Sequence, residues 1–278
     1  MTNPIDTLNA ALDAAPVPVR FFLRDDDGGW DDARLFALLD CTERSGVPID
    51  VAMIPCATSA ALAASLGTRI NAAPRLVGVH QHGFTHTNHE TALRKCEFGA
   101  ARGLPVQRDD LIAGRDRLHQ LFGRRLDTIF TPPWNRCSAG TPTLLAELGY
   151  AALSRDRGAD VQAALPELAV NLDWSKQLRL AAQHGDHDAL PRIAHELARC
   201  IAEHGTRSPI GVMLHHADLQ PGHLDQLEEL LRAVKAHPNA LWWPMRELVT
   251  AAQERGRQKD VGCNARETGT SRYYLVRP

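Results

Sequence analysis

Seven short apolar runs, separated by stretches of helical periodicity, constrain this chain more than any other feature. The runs lie at 17–23, 49–54, 75–80, 127–131, 150–154, 168–172 and 210–215. Helices are predicted at 32–44, 58–66, 108–122, 141–148, 187–203 and 223–236. In the last of these, Leu224, Leu227, Leu230, Leu231 and Val234 form one apolar stripe. Short apolar strands alternating with helices are parallel βαβ units, which either close into a barrel or spread as an open sheet. The fold class is therefore α/β. No internal repeat or linker divides the series, so one domain is expected over 1–255. A polar tail, 256–278, is expected outside the core, and only 273–276 within it reads as a strand.

Composition narrows the function classes. The chain has 278 residues, 44% of them hydrophobic, enough for a full core, and its 31 Lys+Arg against 33 Asp+Glu give a net charge of −2. That balance argues against a nucleic-acid partner. No uncharged apolar run reaches the roughly 18–20 residues of a membrane span. The first cation is Arg20 and no apolar segment follows the start, so no export signal is read and a cytoplasmic location is expected. Cys41, Cys56, Cys96, Cys137, Cys200 and Cys263 contain no CxxC pair and read as reduced thiols. Nothing in the sequence sets the oligomeric state.

Parallel sheets place their active sites at the carboxyl ends of the strands, and five strand ends here carry chemistry. Asp25, Asp26 and Asp27 close the first run ahead of Gly28 and Gly29. Three adjacent carboxylates repel one another unless a cation or a proton intervenes. Alternation along a strand puts Asp25 and Asp27 on one side and Asp26 on the other until the turn, so which of them is base and which is ligand stays open. After the third run come His80, His82, His86 and His89. The HxxxH spacing of His82 and His86 would put both imidazoles on one face of a helical turn. Two histidines and one carboxylate make an open site that suits Zn(II), Co(II), Ni(II) or Fe(II). Thr131, Pro132, Pro133 and Trp134 form a rigid wall whose N–H groups after Pro133 can face an oxyanion. Asp173 with Trp174 reads either as core or as a sugar platform. Leu214 and His215 end the last run, where the histidine is placed to act as an acid.

The ordered set of Asp-Asp-Gly, HxxxH, Pro-Pro-aromatic and Leu-His resembles the polysaccharide deacetylase superfamily (carbohydrate esterase family four, NodB-homology domain) over about 17–216. The strings around Phe22, Leu23, Arg24 and Trp30, the Lys95-Cys-Glu-Phe-Gly99 segment and Phe130 to Arg136 resemble a divergent bacterial subgroup. The resemblance implies a single-domain distorted (β/α)7 barrel and hydrolysis of an acyl group from an amino sugar or sugar conjugate. It implies Asp26 as base, Asp27, His82 and His86 as ligands of a divalent metal, foremost zinc, and His215 as acid. Pro133, Trp134 and Leu214 would line the substrate and oxyanion site. Where the family carries an arginine that steadies the base, this chain has Thr131, for which Arg24 or Arg136 are the candidate substitutes. For the Asp-Trp motif, Asp173 and Trp174 compete with Ser154-Arg155-Asp156. The stretch 87–107, with Glu97 in it, is expected as an added loop near the groove. Asp25, His80 and His89 are supporting candidates.

Two other readings compete. Asp25 at the head of Asp-x-Asp-Gly also fits the nucleophile of a haloacid-dehalogenase-type phosphohydrolase. A deacetylase-like barrel that binds without catalysing is the other, motivated by Thr131.

Overall fold

The computed structural model of the chain describes residues 3–92, 94–159, 164–186, 188–205 and 207–254. The tail 256–278, with its 273–276 run, lies outside the described residues. In order, the elements are α1 (Pro4–Asp13), β1 (Val19–Gly28), α2 (Asp32–Ser45), β2 (Ile49–Met53), α3 (Ala60–Ala72), β3 (Val77–His82), α4 (Leu104–Phe122), β4 (Leu126–Thr131), α5 (Thr141–Glu147), β5 (Ala152–Leu153), β6 (Val170–Asp173), α6 (Trp174–Gln183), α7 (Leu190–His204), β7 (Ile210–His215), α8 (Pro221–Ala236) and β8 (Ala240–Trp242).

Every strand pairing is parallel, in the order β5-β4-β3-β2-β1-β7-β6, with β8 joined to the start of β1. Isolated bridges, Leu153 to Glu167 and Asp156 to Val170, link β5 and the segment after it to the start of β6 and the stretch leading into it. A seam of bridges in place of a full ladder makes the barrel a distorted one. The expected α/β barrel is the fold observed. Between sheet and helices lies the main core, which includes Leu23, Leu35, Leu38, Ile49, Val51, Leu197 and Leu231.

Three elements were not expected. α1 buries Ile5, Leu8 and Leu12, and Asn3 caps it by accepting the Ile5 N–H. α6 starts on Trp174, directly after β6. β8 is only three residues long, too short for a periodic signal. β1 also runs on through all three aspartates to Gly28, beyond the expected end at residue 23.

The amino-terminal half of the sheet holds a second carboxylate pair. Asp50 on β2 accepts the Met245 N–H through Oδ2 at 2.9 Å, and Arg246 Nη1 lies 3.6 Å from Asp127 Oδ2 on β4. Both carboxylates approach Gly78 on β3, where a side chain would collide with Asp50. Burial, with Asp127 adding to it, pushes Asp50 up to about 7; burial pushes Asp127 up to about 6 against the pull of Arg246. Folded values above the ordinary 3.8 mean that the native state holds protons the unfolded chain releases. This stability is complete below about pH 4 and is lost as pH rises through 6 to 7. Urea unfolding at pH 5 and pH 8 is expected to show a loss of about 2–3 kcal/mol from Asp50 alone. Asp50→Asn should flatten that slope; an unchanged slope would contradict the assignment.

Candidate metal centre

A break in the β1 ladder separates the three aspartates. Pairing of β1 with β2 shifts register between Asp25 and Gly28, and Asp27 within that bulge has φ +69°. Gly28 is required there, because a side chain would meet Met53 Sδ at 2.6 Å and Val51 Cγ1 at 2.8 Å. Asp25 consequently points away from Asp26 and Asp27. It is fully buried, and its oxygens accept the His216 backbone N–H at 2.9 Å and face His216 Nδ1 at 2.7 Å. His216 Nε2 lies 2.6 Å from the Trp30 carbonyl. Burial opposes charge on this imidazole, but Asp25 and the Trp30 carbonyl outweigh it and hold its pKa up at about 9. A carboxylate enclosed in this way has no oxygen to offer a phosphoryl group, which removes the phosphohydrolase reading. Asp25 and His216 instead tie β1 to the end of β7.

Asp26 faces the barrel interior beside Arg24, two residues earlier on the same strand face. Arg24 Nε donates to Asp26 Oδ1 at 2.8 Å and Nη2 to Oδ2 at 2.9 Å. The rest of the guanidinium donates to Ser154 Oγ at 2.8 Å, Asn135 Oδ1 at 2.6 Å and Met213 Sδ at 3.0 Å. Burial works to raise the Asp26 carboxyl, but Arg24, with help from His82 and His215, outweighs it and keeps the carboxyl below its ordinary value. Arg24 therefore stands where Thr131 left a gap. Arg136 does not: its Nη1 donates to the Lys95 carbonyl at 2.9 Å. Thr131 Oγ1 instead lies 2.8 Å from His80 Nε2. Burial first, then Arg24, pushes His80 down to about 3, so it is a neutral, fully buried structural residue.

Asp27, His82 and His86 converge. His82 Nε2 lies 3.3 Å and His86 Nε2 3.1 Å from Asp27 Oδ1. Ligand atoms around a tetrahedral ion at about 2.1 Å are themselves about 3.4 Å apart, so the separations fit one shared ion. The chemistry of the donors fits as well. His82 Nδ1 lies 3.0 Å from the Thr131 carbonyl, which calls for the proton on Nδ1 and turns the Nε2 lone pair toward Asp27. In the metal-free protein, burial pushes Asp27 up but the two imidazoles outweigh it and hold it well below the carboxylate range. Burial likewise lowers His82, and Asp27 and Asp26 outweigh it to raise it. Metal must then compete with protons at this site.

The HxxxH pair is not on a helical turn. His82 ends β3 and His86 follows in a loop, with φ +59°. They meet because the chain turns sharply at Gly83, where φ is +58° and a side chain would collide with Glu97 and Pro133. Glu97, fully buried, accepts the Phe84 N–H at 3.1 Å and the Thr85 N–H at 2.8 Å, with Thr85 Oγ1 donating at 2.9 Å. Glu97 thus holds the segment that presents His86 and does not face the groove. The expected added loop is shorter than 87–107, since α4 begins at Leu104. His89 lies in that loop, its backbone N–H on the Cys96 carbonyl at 3.1 Å.

Among the described residues, five other than glycine have positive φ. Four of them, Asp27, His86, Trp134 and Asn135, surround this centre. Such strain gathers where a site over-determines the backbone. Trp134 packs on His86 with ring centroids 4.5 Å apart, and Trp30, 42% exposed, packs edge-on against the same imidazole at 4.8 Å. Pro133 is buried, and the N–H groups of Asn135 and Arg136 turn back to the Pro132 and Pro133 carbonyls. The Trp134 N–H is left. On β7, Met213 and His215 share the inner face, and His215 pairs in register with Asp26. Leu214 points the other way into the main core, so it does not line the site. Asp173 caps α6 by accepting the Lys176 N–H, and Trp174 is wholly buried in the core, which excludes a sugar platform there. Ser154 is the residue of the competing triplet that reaches Arg24. No spacing rule links Trp30, Asn135 and Met213 to Arg24 or His86, so the sequence alone does not place them at the site.

No family model and no curated protein matches the sequence. Solved structures do match, at low identity. A family 4 acetyl xylan esterase from Clostridium thermocellum, in complex with a cobalt ion, has a TM-score of 0.50 at 16% identity, covering 84% of this chain and 91% of its own. A family 4 carbohydrate esterase from Streptomyces lividans, in complex with acetate, has a TM-score of 0.51 at 13% identity, covering 82% and 92%. A CE4 family pseudoenzyme from Bacillus anthracis has a TM-score of 0.53 at 11% identity, covering 82% and 64%. The chain has the fold of the CE4 deacetylases and esterases. Because a pseudoenzyme shares it, fold and activity are separate questions here.

Proposed function

We propose that this chain is a divergent polysaccharide deacetylase, a metal-dependent hydrolase that removes an N-acetyl or other acyl group from an amino sugar or sugar conjugate. One observation carries the reading: Asp27, His82 and His86 converge on one point directly beside the Arg24-bound Asp26. Zinc suits this donor set best, with Co(II), Ni(II) and Fe(II) as alternatives. When bound, such an ion polarises an acyl carbonyl and lowers the pKa of a water beside it.

The chain's own residues supply the rest. Asp26, held ionised by Arg24, accepts the proton of the attacking water. The Trp134 N–H, on a backbone fixed by Pro132 and Pro133, faces the developing oxyanion. His215 stands across the ladder from Asp26, and its buried Nδ1 has no partner among the described residues. It donates the proton that lets the amine leave. Trp30 and Trp134 flank His86 as apolar walls that exclude bulk water and offer faces for a sugar ring.

Acetate release from a panel of N- and O-acetylated sugars tests this. Release is expected to stop on chelation and to return on adding Zn(II). Full metal occupancy without acetate release from any panel member would overturn it in favour of a barrel that binds without catalysing.

A further inference from the structure

Asn135, which accepts from Arg24, also lines a cavity of about 460 Å³ whose wall is largely small and apolar, with Cys96, Gly99, Ala100 and Ala139 among its residues. Arg94, Arg136 and Arg155 stand around it. Their charges are unequally matched. Arg155 is ion-paired to Glu167 at 2.7 Å and nearly buried. Glu90, the acid in the lining, accepts the Ala101 N–H at 3.0 Å and so is turned to its own loop. Arg136 donates to a neutral carbonyl, that of Lys95, and the Lys95 ammonium lies 6.0 Å above the Trp134 ring. Burial and the adjacent Arg94 charge both weaken the hold of Arg136 on its proton, with Asp156 opposing them.

Arg94 and Arg136 therefore crowd one opening in a chain of net charge −2, with Asp156 and Glu90 as the nearby acids. Gathered guanidinium groups repel one another, and an oxyanion that they can clasp relieves the repulsion. The opening is also close to the metal centre. Trp134 touches His86, and two peptide steps, at most about 7 Å of chain, lead from Trp134 to Arg136.

We propose that this cavity binds an anionic oxygen group, phosphate or carboxylate, carried by the sugar, so that the chain acts on anionic amino-sugar conjugates in preference to neutral glycans. The inference rests on the deacylase reading for the acyl group and on Arg94 and Arg136 for the anion.

The test separates the two. Binding to the full chain, with and without chelator, is measured by calorimetry for N-acetylglucosamine, its 1-phosphate and N-acetylmuramic acid at low salt and in 0.5 M NaCl. At least one anionic probe is expected to bind tenfold or more tighter than the neutral sugar at low salt. The margin should shrink to under threefold in high salt and in the Arg94→Gln/Arg136→Gln double variant, whose sites are an exposed and a half-buried position on loops. Which anionic probe wins distinguishes phosphate from carboxylate. Equal binding of all three probes, or a preference that survives the double substitution, overturns the anion site. A preference that depends on both arginines, together with no acetate release from the metal-loaded protein, upholds the anion cavity and sinks the deacylase reading.

Discussion

Replacing His86 or Asp27 by alanine is expected to take bound metal from one equivalent to near zero and to reduce acyl hydrolysis by about 10³-fold or more. The size follows from what is lost: an ion that stabilises transition-state charge by several kcal/mol, at about 1.4 kcal/mol per factor of ten. Either substitution leaves only two of the three converging atoms, and their separations of 3.1 and 3.3 Å from Asp27 Oδ1 show that all three face one point. His82→Ala should behave likewise, with added destabilisation because its ring is buried and bonded to Thr131. Elemental analysis of purified protein reads the outcome, and variants that keep stoichiometric metal would remove the assignment. Metal affinity should also fall as pH drops, beginning at a higher pH than for an ordinary imidazole, since the neighbouring carboxylates raise His82.

Arg24→Met is expected to be the most destabilising single substitution near the site, by about 3–5 kcal/mol, because it leaves the Asp26 charge buried without its partner. Ser154 and Asn135 lose a donor at the same time. The pH dependence carries the diagnosis. In the wild type the Asp26 carboxyl lies below 3.8, so its stability is present above that value and is lost as pH falls through the folded pKa. Without Arg24, burial, the largest influence, is opposed only by the smaller pulls of His82 and His215, so the carboxyl rises and the variant loses stability as pH rises. The gap between the two proteins should therefore widen from pH 4.5 to pH 7.5 in urea unfolding. A gap that is small and independent of pH would show that the ion pair does not hold Asp26. Arg24→Lys should recover only part of the loss, since an ammonium cannot repeat the paired contacts to both oxygens.

The strands and helices were largely legible because each buries one face and repeats its apolar residues at its own period. Ile49, Val51, Leu227 and Leu231 sit where those periods place them. α1 carried the same signal in Ile5, Leu8 and Leu12 and could have been found. At the site, the meeting of Asp27, His82 and His86 was implied by the resemblance, but the backbone that brings it about was not legible, since it depends on the bulge at Asp27 and the turn at Gly83. Glu97 shows the limit: a carboxylate in a loop looks like a groove residue, and only its complete burial against the Phe84 and Thr85 amides reveals a strut. Trp174 shows the converse, an aromatic beside a strand-end carboxylate that belongs to the core.

The sequence by itself determined the α/β class, the parallel order of strands and helices, and the strand ends that carry titratable groups, because these follow from local periodicity and the direction of the chain. Tertiary structure decided which partner each aspartate has. Asp25, Asp26 and Asp27 are alike in sequence, yet one is tied to His216, one to Arg24, and one faces two histidines. Those partners come from the residue after β7, from the same face of β1, and from the end of β3 and the loop after it. The identity of a carboxylate's partner is a property of the space around it, which residues up to 191 positions away help to fill.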